Sequence, residues 1–447
     1  MAKSVAKAKY LIIGNSAGGI GAAEAIREVD KVGPIIIISD EPYPAYSRPL
    51  ISEYLAEGLP VERMLFRPAD FYEKNNIRSL LGGKVERLDI DEHVIEVGKG
   101  KRIAWEKLLL ATGGVPVVPQ IEGISGRGVF TFTTLDDAKA ISEFLSWPAR
   151  AVVIGGGLIG VSATEALVKR GVEVTVVEMK ERILNTILDE EASALGEETM
   201  RQAGVKIITG HTVAEITGDP SAGEATSSVT LDDGSRIPCN LVVVAIGVQP
   251  RTELVSGTGI KVNRGIVVDR YMATSAADVY ACGDAAEAYD FVYGENRLTP
   301  VWPNAYIGGR TAGFNMAGVP TEYPGGTAMN SLKYFGLEAV SAGMVNPPDD
   351  GYEVLSEKYN TAYRKVILKE GLVVGMVFVG NIEKSGIVFG LMKDRVNVDG
   401  FKRKLLAGDF GLASLPEEIW RPWLEAPASG LVSQVPLEQM EETVMGE

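Results

Sequence analysis

The amino-acid sequence predicts an α/β protein in which one doubly wound unit is inserted into another, followed by a smaller α+β domain. Three observations predict it. A short apolar strand runs through a glycine turn into a helix twice, from Tyr10 and again from Ala151. Two strand-to-glycine junctions, Lys107 to Gly114 and Leu241 to Gly247, flank the second of these as the entry and exit of an insertion would. Beyond residue 326 the apolar pattern shortens to strands, with Val366 to Lys369 and Val373 to Val379 meeting around Glu370-Gly371 as a hairpin. A chain of 447 residues exceeds one hydrophobic core and fits about three domains.

In chain order, the run Tyr10 to Ile13 ends at Gly14-Asn15-Ser16-Ala17-Gly18-Gly19, and Ile20 to Val29 reads as an Ala-rich helix. After Gly33-Pro34 a second buried strand, Ile35 to Ile38, ends in Ser39-Asp40 and completes a βαβ unit. Such a unit suits a dinucleotide, whose pyrophosphate needs backbone N–H donors and a helix N-terminus with no Cβ in the way. The spacing directs Gly14, Ser16, Ala17 and Gly18 toward the pyrophosphate and Asp40 toward the ribose hydroxyls of the adenosine. A serine stands where the middle glycine of G-x-G-x-x-G is expected, so by itself this segment fits an ordinary glycine turn equally well.

The second segment is complete. Gly155, Gly157 and Gly160 occupy the three glycine positions, Leu158 and Ile159 begin the helix, and the next strand, Val172 to Val177, ends in Glu178. A carboxylate there accepts the ribose hydroxyls of NADH and repels the 2′-phosphate of NADPH, although Lys180 and Arg182 stand close by. The flanking junctions, Ala111-Thr112-Gly113 and Ile246-Gly247, are turns that pass close to bound nucleotide, or each is an ordinary β-turn. Two Rossmann-like units in one chain imply electron traffic between two cofactors. The expected boundaries are 1–118 with 245–325 for the outer unit, 119–244 for the inserted one, 326–410 for the C-terminal interface domain and 411–447 for a tail.

The run Thr274-Ser275-Ala276-Ala277-Asp278-Val279-Tyr280-Ala281-Cys282-Gly283-Asp284-Ala285 resembles the second FAD fingerprint of the pyridine nucleotide–disulfide oxidoreductase superfamily. With both glycine turns and the Ala111-Thr112-Gly113 motif in the same order, the resemblance covers residues 8 to about 410. Pro44-Ala45-Tyr46-Ser47-Arg48-Pro49-Leu50-Ile51-Ser52, Asn330-Ser331-Leu332-Lys333-Tyr334-Phe335-Gly336 and Gly380-Asn381-Ile382-Glu383-Lys384 are most similar to rubredoxin and ferredoxin reductases and to the flavin module of assimilatory nitrite reductases. The resemblance implies that FAD occupies the outer unit and NAD(H) the inserted one. It implies that Gly283 and Asp284 meet the ribityl chain, that Arg48 lies beside the isoalloxazine, and that Val85 contacts the adenine end unless it is simply a buried strand valine. Trp302, at the start of the helix whose N-terminus relatives aim at the flavin pyrimidine, either packs on the flavin or belongs to the core. Three positions depart from the family pattern: Ser162 replaces a Glu near the nicotinamide, Thr133 an Arg near the flavin, and Glu53 a Lys.

Composition excludes several alternatives. A net charge of −15 without clustered Lys and Arg speaks against nucleic acid, and no apolar run approaches membrane-spanning length. A signal-peptide core is not expected either, because Gly14 and Asn15 cut the first apolar stretch short, so cytoplasmic residence is the expectation. Cys239 and Cys282 have no paired spacing, residues 40 to 60 contain no cysteine, and His93 and His211 fall outside every motif, so neither a metal site nor thiol or imidazole catalysis is expected. The expected function is transfer of a hydride from NADH to FAD and then of single electrons to a rubredoxin, a ferredoxin or an iron–sulfur subunit, within a homodimer or a hetero-oligomeric complex. The alternatives are an NADH oxidase reducing O₂ and a non-catalytic nucleotide-binding module. The tail, with Trp420 and Trp423, docks a partner or wraps its own subunit.

Overall fold

The computed structural model describes residues 6–219, 225–359 and 362–425. Its outer unit is centred on the strand Ala6–Ile13, which pairs in parallel with Ile35–Ser39 on one side and Lys101–Leu110 on the other. Leu11, Ile12 and Ile37 are completely buried, as continuous apolar runs must be when a parallel sheet is covered on both faces. Ile77–Leu81 extends the sheet at one edge, and Val94–Val97 with Val85–Asp89 extends it antiparallel at the other. Val279–Ala281, reached only after the insertion, returns to pair with Leu108–Leu110. Ile13, Ile38, Leu110 and Ala281 therefore finish at one edge, the carboxyl end where open α/β sheets bind ligands.

The inserted unit repeats the plan with five parallel strands in the order Lys206–Thr209, Glu173–Glu178, Arg150–Ile154, Leu241–Val244 and Val129–Thr131. The two crossings between the units run side by side, because Gly114–Pro116 pairs antiparallel with Val248–Pro250. The junctions singled out in the sequence are thus one ribbon.

The C-terminal domain is an antiparallel sheet in the order Met329–Tyr334, Leu337–Gly343, Leu372–Val379, Ala362–Lys369 and Glu353–Tyr359. Glu370 and Gly371 both take positive φ, 51° and 75°, which is the hairpin turn the sequence predicts. One sheet face, with Tyr334, Ala339, Tyr363, Val377 and Val379, shares a core with Val161, Leu188 and Ala192 of the inserted unit. The other is covered by the helix Ser385–Lys393 and by the helix Glu417–Glu425, whose Trp420 and Trp423 are partly buried there. Trp423 Nε1 donates to Asp394 at 2.6 Å. Up to Glu425, then, the tail wraps its own subunit; residues 426–447 lie outside the described residues.

Candidate functional site: two glycine cradles and their junction

The two glycine turns superimpose in role. Gly14 has φ +121°, and a Cβ on it would lie 2.0 Å from the carbonyl oxygen of Ala111; Gly155 has φ +106°, and its Cβ would lie 2.4 Å from that of Ala245. Only glycine allows the turn to pass this close to the neighbouring strand end. The third glycine packs helix on strand: a Cβ on Gly160 would meet Gly155 O at 1.9 Å, and one on Gly19 would meet Gly14 O at 2.0 Å. The sequence directed Gly18 toward the pyrophosphate and left Gly19, the third glycine of the pattern, without a role. Gly18 is buried at a helix crossing, where a Cβ would strike Cys282 Sγ at 2.7 Å and where the carbonyl of Gly18 presses against Gly309. The helices Ala17–Val29 and Leu158–Lys169 start at Ser16 and Gly157, neither of which makes a side-chain cap, and neither first turn carries an acidic residue. Their leading N–H groups suit an anion. Gly157 has nothing within 4 Å of where a Cβ would stand, so this position is open to a close-fitting phosphate.

A cavity of about 560 Å³ brings together Gly14, Asp40, Val85 and Thr112, four of the predicted contacts, with Arg251. Arg251 was not foreseen. Its Nη1 meets Asp40 Oδ2 at 2.7 Å, its N–H donates to Gly113 O at 2.9 Å, and its carbonyl accepts the Thr112 hydroxyl at 2.8 Å. No local pattern could reveal a partner 211 residues away. In the second cradle Glu178 is buried, with Oε2 accepting the Gly156 N–H at 2.6 Å and Oε1 the Lys180 N–H at 2.8 Å, which fixes the carboxylate at the turn. Each turn combines a close-approach glycine, an uncapped helix start and a carboxylate at the end of the next strand, so the residues present fit a dinucleotide in each.

Toward the other end of the first cradle, Gly283 takes φ +70° and is followed by Asp284, whose carboxyl is pushed up by burial and drawn back by the positive charge of Arg48. Arg48 itself is gripped by Glu41, with its Nη1 donating to Thr133 O at 2.9 Å. Trp302 opens the helix Trp302–Met316 and meets Phe66 edge-on, with ring centroids 5.1 Å apart. Of the departures, Glu53 is exposed and lines a separate cavity of about 460 Å³ with Glu165, Lys169 and Lys333. Glu165, one turn beyond Ser162, is tied to the C-terminal domain by accepting the Phe335 N–H at 2.9 Å. Ala17 is buried at the start of its helix, and Gly247 takes φ +123° with open space around it.

Both cysteines are buried, and burial pushes each thiol up to about 12, far from thiolate formation at neutral pH. His93 stacks on Trp105 at 4.2 Å, and His211 pairs with Asp232 at 2.9 Å; neither lines either cavity. Among the described residues no helix is long and apolar enough to cross a membrane.

Two nested cradles with a shared crossing ribbon define an oxidoreductase that holds two nucleotides. The chain belongs to the pyridine nucleotide-disulphide oxidoreductase family, whose description matches residues 8–309, and residues 329–396 match the rubredoxin NAD+ reductase C-terminal domain. Membership implies binding of FAD and NAD(P)H. The chain is 32% identical over 427 residues to the NADH-dependent phenylglyoxylate dehydrogenase subunit epsilon of Aromatoleum evansii, covering 94% of this chain and 100% of that one. It is 29% identical over 393 residues to the assimilatory nitrate reductase electron transfer subunit of Bacillus subtilis, covering 87% of this chain but only 50% of that protein. The ferredoxin reductase structure from Rhodopseudomonas palustris matches with a TM-score of 0.81 at 25% identity, over 91% of this chain and 99% of that one.

Proposed function

We propose that this chain is the flavin subunit of a multi-subunit redox enzyme, taking a hydride from NADH and delivering electrons singly to an iron–sulfur or rubredoxin-type protein. The observation that carries this reading is the pair of cradles joined by one ribbon, with no cysteine available between them to act as a relay: both thiols are buried and held protonated. The match over the full length of a subunit of an NADH-dependent dehydrogenase supports the subunit role. When bound, FAD supplies the conversion between two-electron and one-electron chemistry.

The protein's part is placement. The first-turn N–H groups after Ser16 and Gly157 receive the two pyrophosphates, Asp40 and Glu178 receive ribose hydroxyls, and Val85 borders the adenine end. Asp284 holds the ribityl chain and Arg48 presents positive charge where reduction adds negative charge. Glu178 makes NADH the preferred donor, since a buried carboxylate fixed at the turn excludes a 2′-phosphate.

Anaerobic titration of the purified protein with NADH should bleach the flavin absorbance, with NADPH markedly slower, and the native complex should copurify with iron. A flavin that stays oxidised under excess NADH without oxygen would sink the reading. Turnover that requires O₂ and ignores every iron–sulfur acceptor would replace it with an oxidase.

A further inference from the structure

The loop that follows the first βαβ unit is fastened across the boundary between the outer and inserted units, and the fastening converges on one carboxylate. Glu41 Oε2 accepts the Tyr46 hydroxyl at 2.6 Å, while Oε1 takes Arg48 Nη2. The other terminal nitrogen of Arg48 donates across the boundary to Thr133 O at 2.9 Å. The Tyr46 hydroxyl accepts the buried Leu135 N–H at 3.0 Å, in the first turn of the helix Leu135–Phe144. That first turn is itself rigid: Asp137 Oδ2 takes the Thr133 N–H at 2.7 Å and the Thr134 N–H at 3.0 Å.

A guanidinium is planar, so holding one terminal nitrogen on Glu41 and the other on Thr133 sets the direction of the whole group, whereas a single ion pair would leave it free to turn. The grip also uses Tyr46, which is 5% exposed and whose hydroxyl donor finds its acceptor in Glu41. Its hydroxyl donates to Glu41 and accepts from the buried Leu135 N–H, so Glu41 cannot rotate without breaking its bond to a hydroxyl that is itself fixed. The Thr133 acceptor is a main-chain carbonyl, held in place because the N–H groups of Thr133 and Thr134 are both tied to Asp137.

We propose that Glu41 is a positioning residue that aims Arg48 at the flavin ring, so that the reduction potential of the cofactor is set by a joint between the two nucleotide units. This rests on the flavoprotein reading above. The alternative role for Glu41, plain neutralisation of Arg48, has the opposite consequence. If Glu41 acted only as a charge, removing it would strengthen the field of Arg48 and raise the potential. If it aims Arg48, removing it lets the guanidinium swing toward solvent, and the potential falls, because the cation no longer supports the negative charge of the reduced ring.

The test is an anaerobic redox titration of the full-length, flavin-loaded protein against a reference dye, with Glu41→Gln, Arg48→Gln, the double variant and Tyr46→Phe. At the poise that half-reduces the wild type, Glu41→Gln should raise the oxidised-to-reduced ratio roughly tenfold, the scale of one charge-assisted bond. Arg48→Gln should move it the same way, and the double variant no further than the larger single change. Should Glu41→Gln lose its flavin, Tyr46→Phe, which removes one of the two bonds on the carboxylate, must give the same direction at smaller amplitude. An unmoved or raised potential in Glu41→Gln, or single effects that add in the double variant, overturns the positioning role whatever happens to thermal stability. A wild-type chain that retains no flavin defeats the functional reading and this inference together; flavin retained with an unmoved potential defeats only the inference.

Discussion

Arg251 and Asp40, which both line the cavity of about 560 Å³, meet at 2.7 Å, and the contact decides what each can do. On the function proposed above, Asp40 has Oδ2 engaged and its remaining oxygen left for the ribose, and Arg251 orients the carboxylate. Arg251→Gln should therefore weaken FAD binding by roughly threefold, the worth of one solvent-screened ion pair. Titration of apoprotein with FAD and, separately, with FMN checks this: FMN lacks the adenosine and its affinity should not change, and equal losses for both flavins would refute the role. At this scale the sequence was informative where a residue acts within its own segment. Gly14, Asp40 and Thr112 do share a cavity, because each comes just after the end of one of three neighbouring parallel strands, and Val85, the first residue of an antiparallel edge strand, lines it with them. Arg251 and Glu41 were invisible because their partners are made by tertiary folding and carry no spacing signature.

The elements tell a similar story with a different boundary. Strands were legible as apolar runs, and the Glu370-Gly371 hairpin as a turn between two of them, because burial on both faces and left-handed turn geometry leave a local mark. The helix start was less so. Ala17–Val29 begins three residues before the first large apolar side chain, since its opening turn is Ala17-Gly18-Gly19, chosen for close packing rather than hydrophobicity. The exit of the same helix carries a testable charge. Asp30 Oδ2 takes Lys9 Nζ at 2.7 Å and the Tyr10 hydroxyl at 2.9 Å, and Oδ1 takes the N–H groups of Gly33 and Val32, which together hold the carboxyl well below the usual range. A depressed folded-state value means that the stabilisation is present above the unfolded carboxylate pKa of about 4 and disappears as the pH falls through the lower folded value. Asp30→Asn should melt below the wild type at pH 7, with the gap closing in acid. A gap that stays constant from pH 7 to pH 3 would show that the ionised carboxylate is not its source.

In the whole molecule, the C-terminal sheet is bound to the inserted unit by a buried ion pair as well as by shared core. Lys365 Nζ donates to Asp189 Oδ2 at 2.8 Å and to Val345 O at 3.0 Å, and the Tyr363 hydroxyl donates to the same carboxylate oxygen at 2.7 Å. Asp189 is also the cap of the helix Glu190–Gln202. Removing one partner of such a pair leaves a stranded charge, so Asp189→Ala should destabilise by about 3–5 kcal/mol. Denaturant unfolding measures this, and a loss below about 1 kcal/mol would contradict the buried character of the tie. The sequence announced three domains by composition and motif, but nothing in it revealed which two of them share an interior, because Tyr334, Tyr363 and Val377 read as ordinary strand residues until the sheet is docked.

That shared interior limits modularity. The inserted unit looks like a cassette, entered and left through one two-stranded ribbon, yet excising it would strip Tyr334, Ala339, Val377 and Val379 of their packing partners and leave Lys365 without its counter-ion. A graft that exchanges the inserted unit for that of a relative must carry the C-terminal sheet along with it, and chimeras cut at the ribbon alone should precipitate rather than fold.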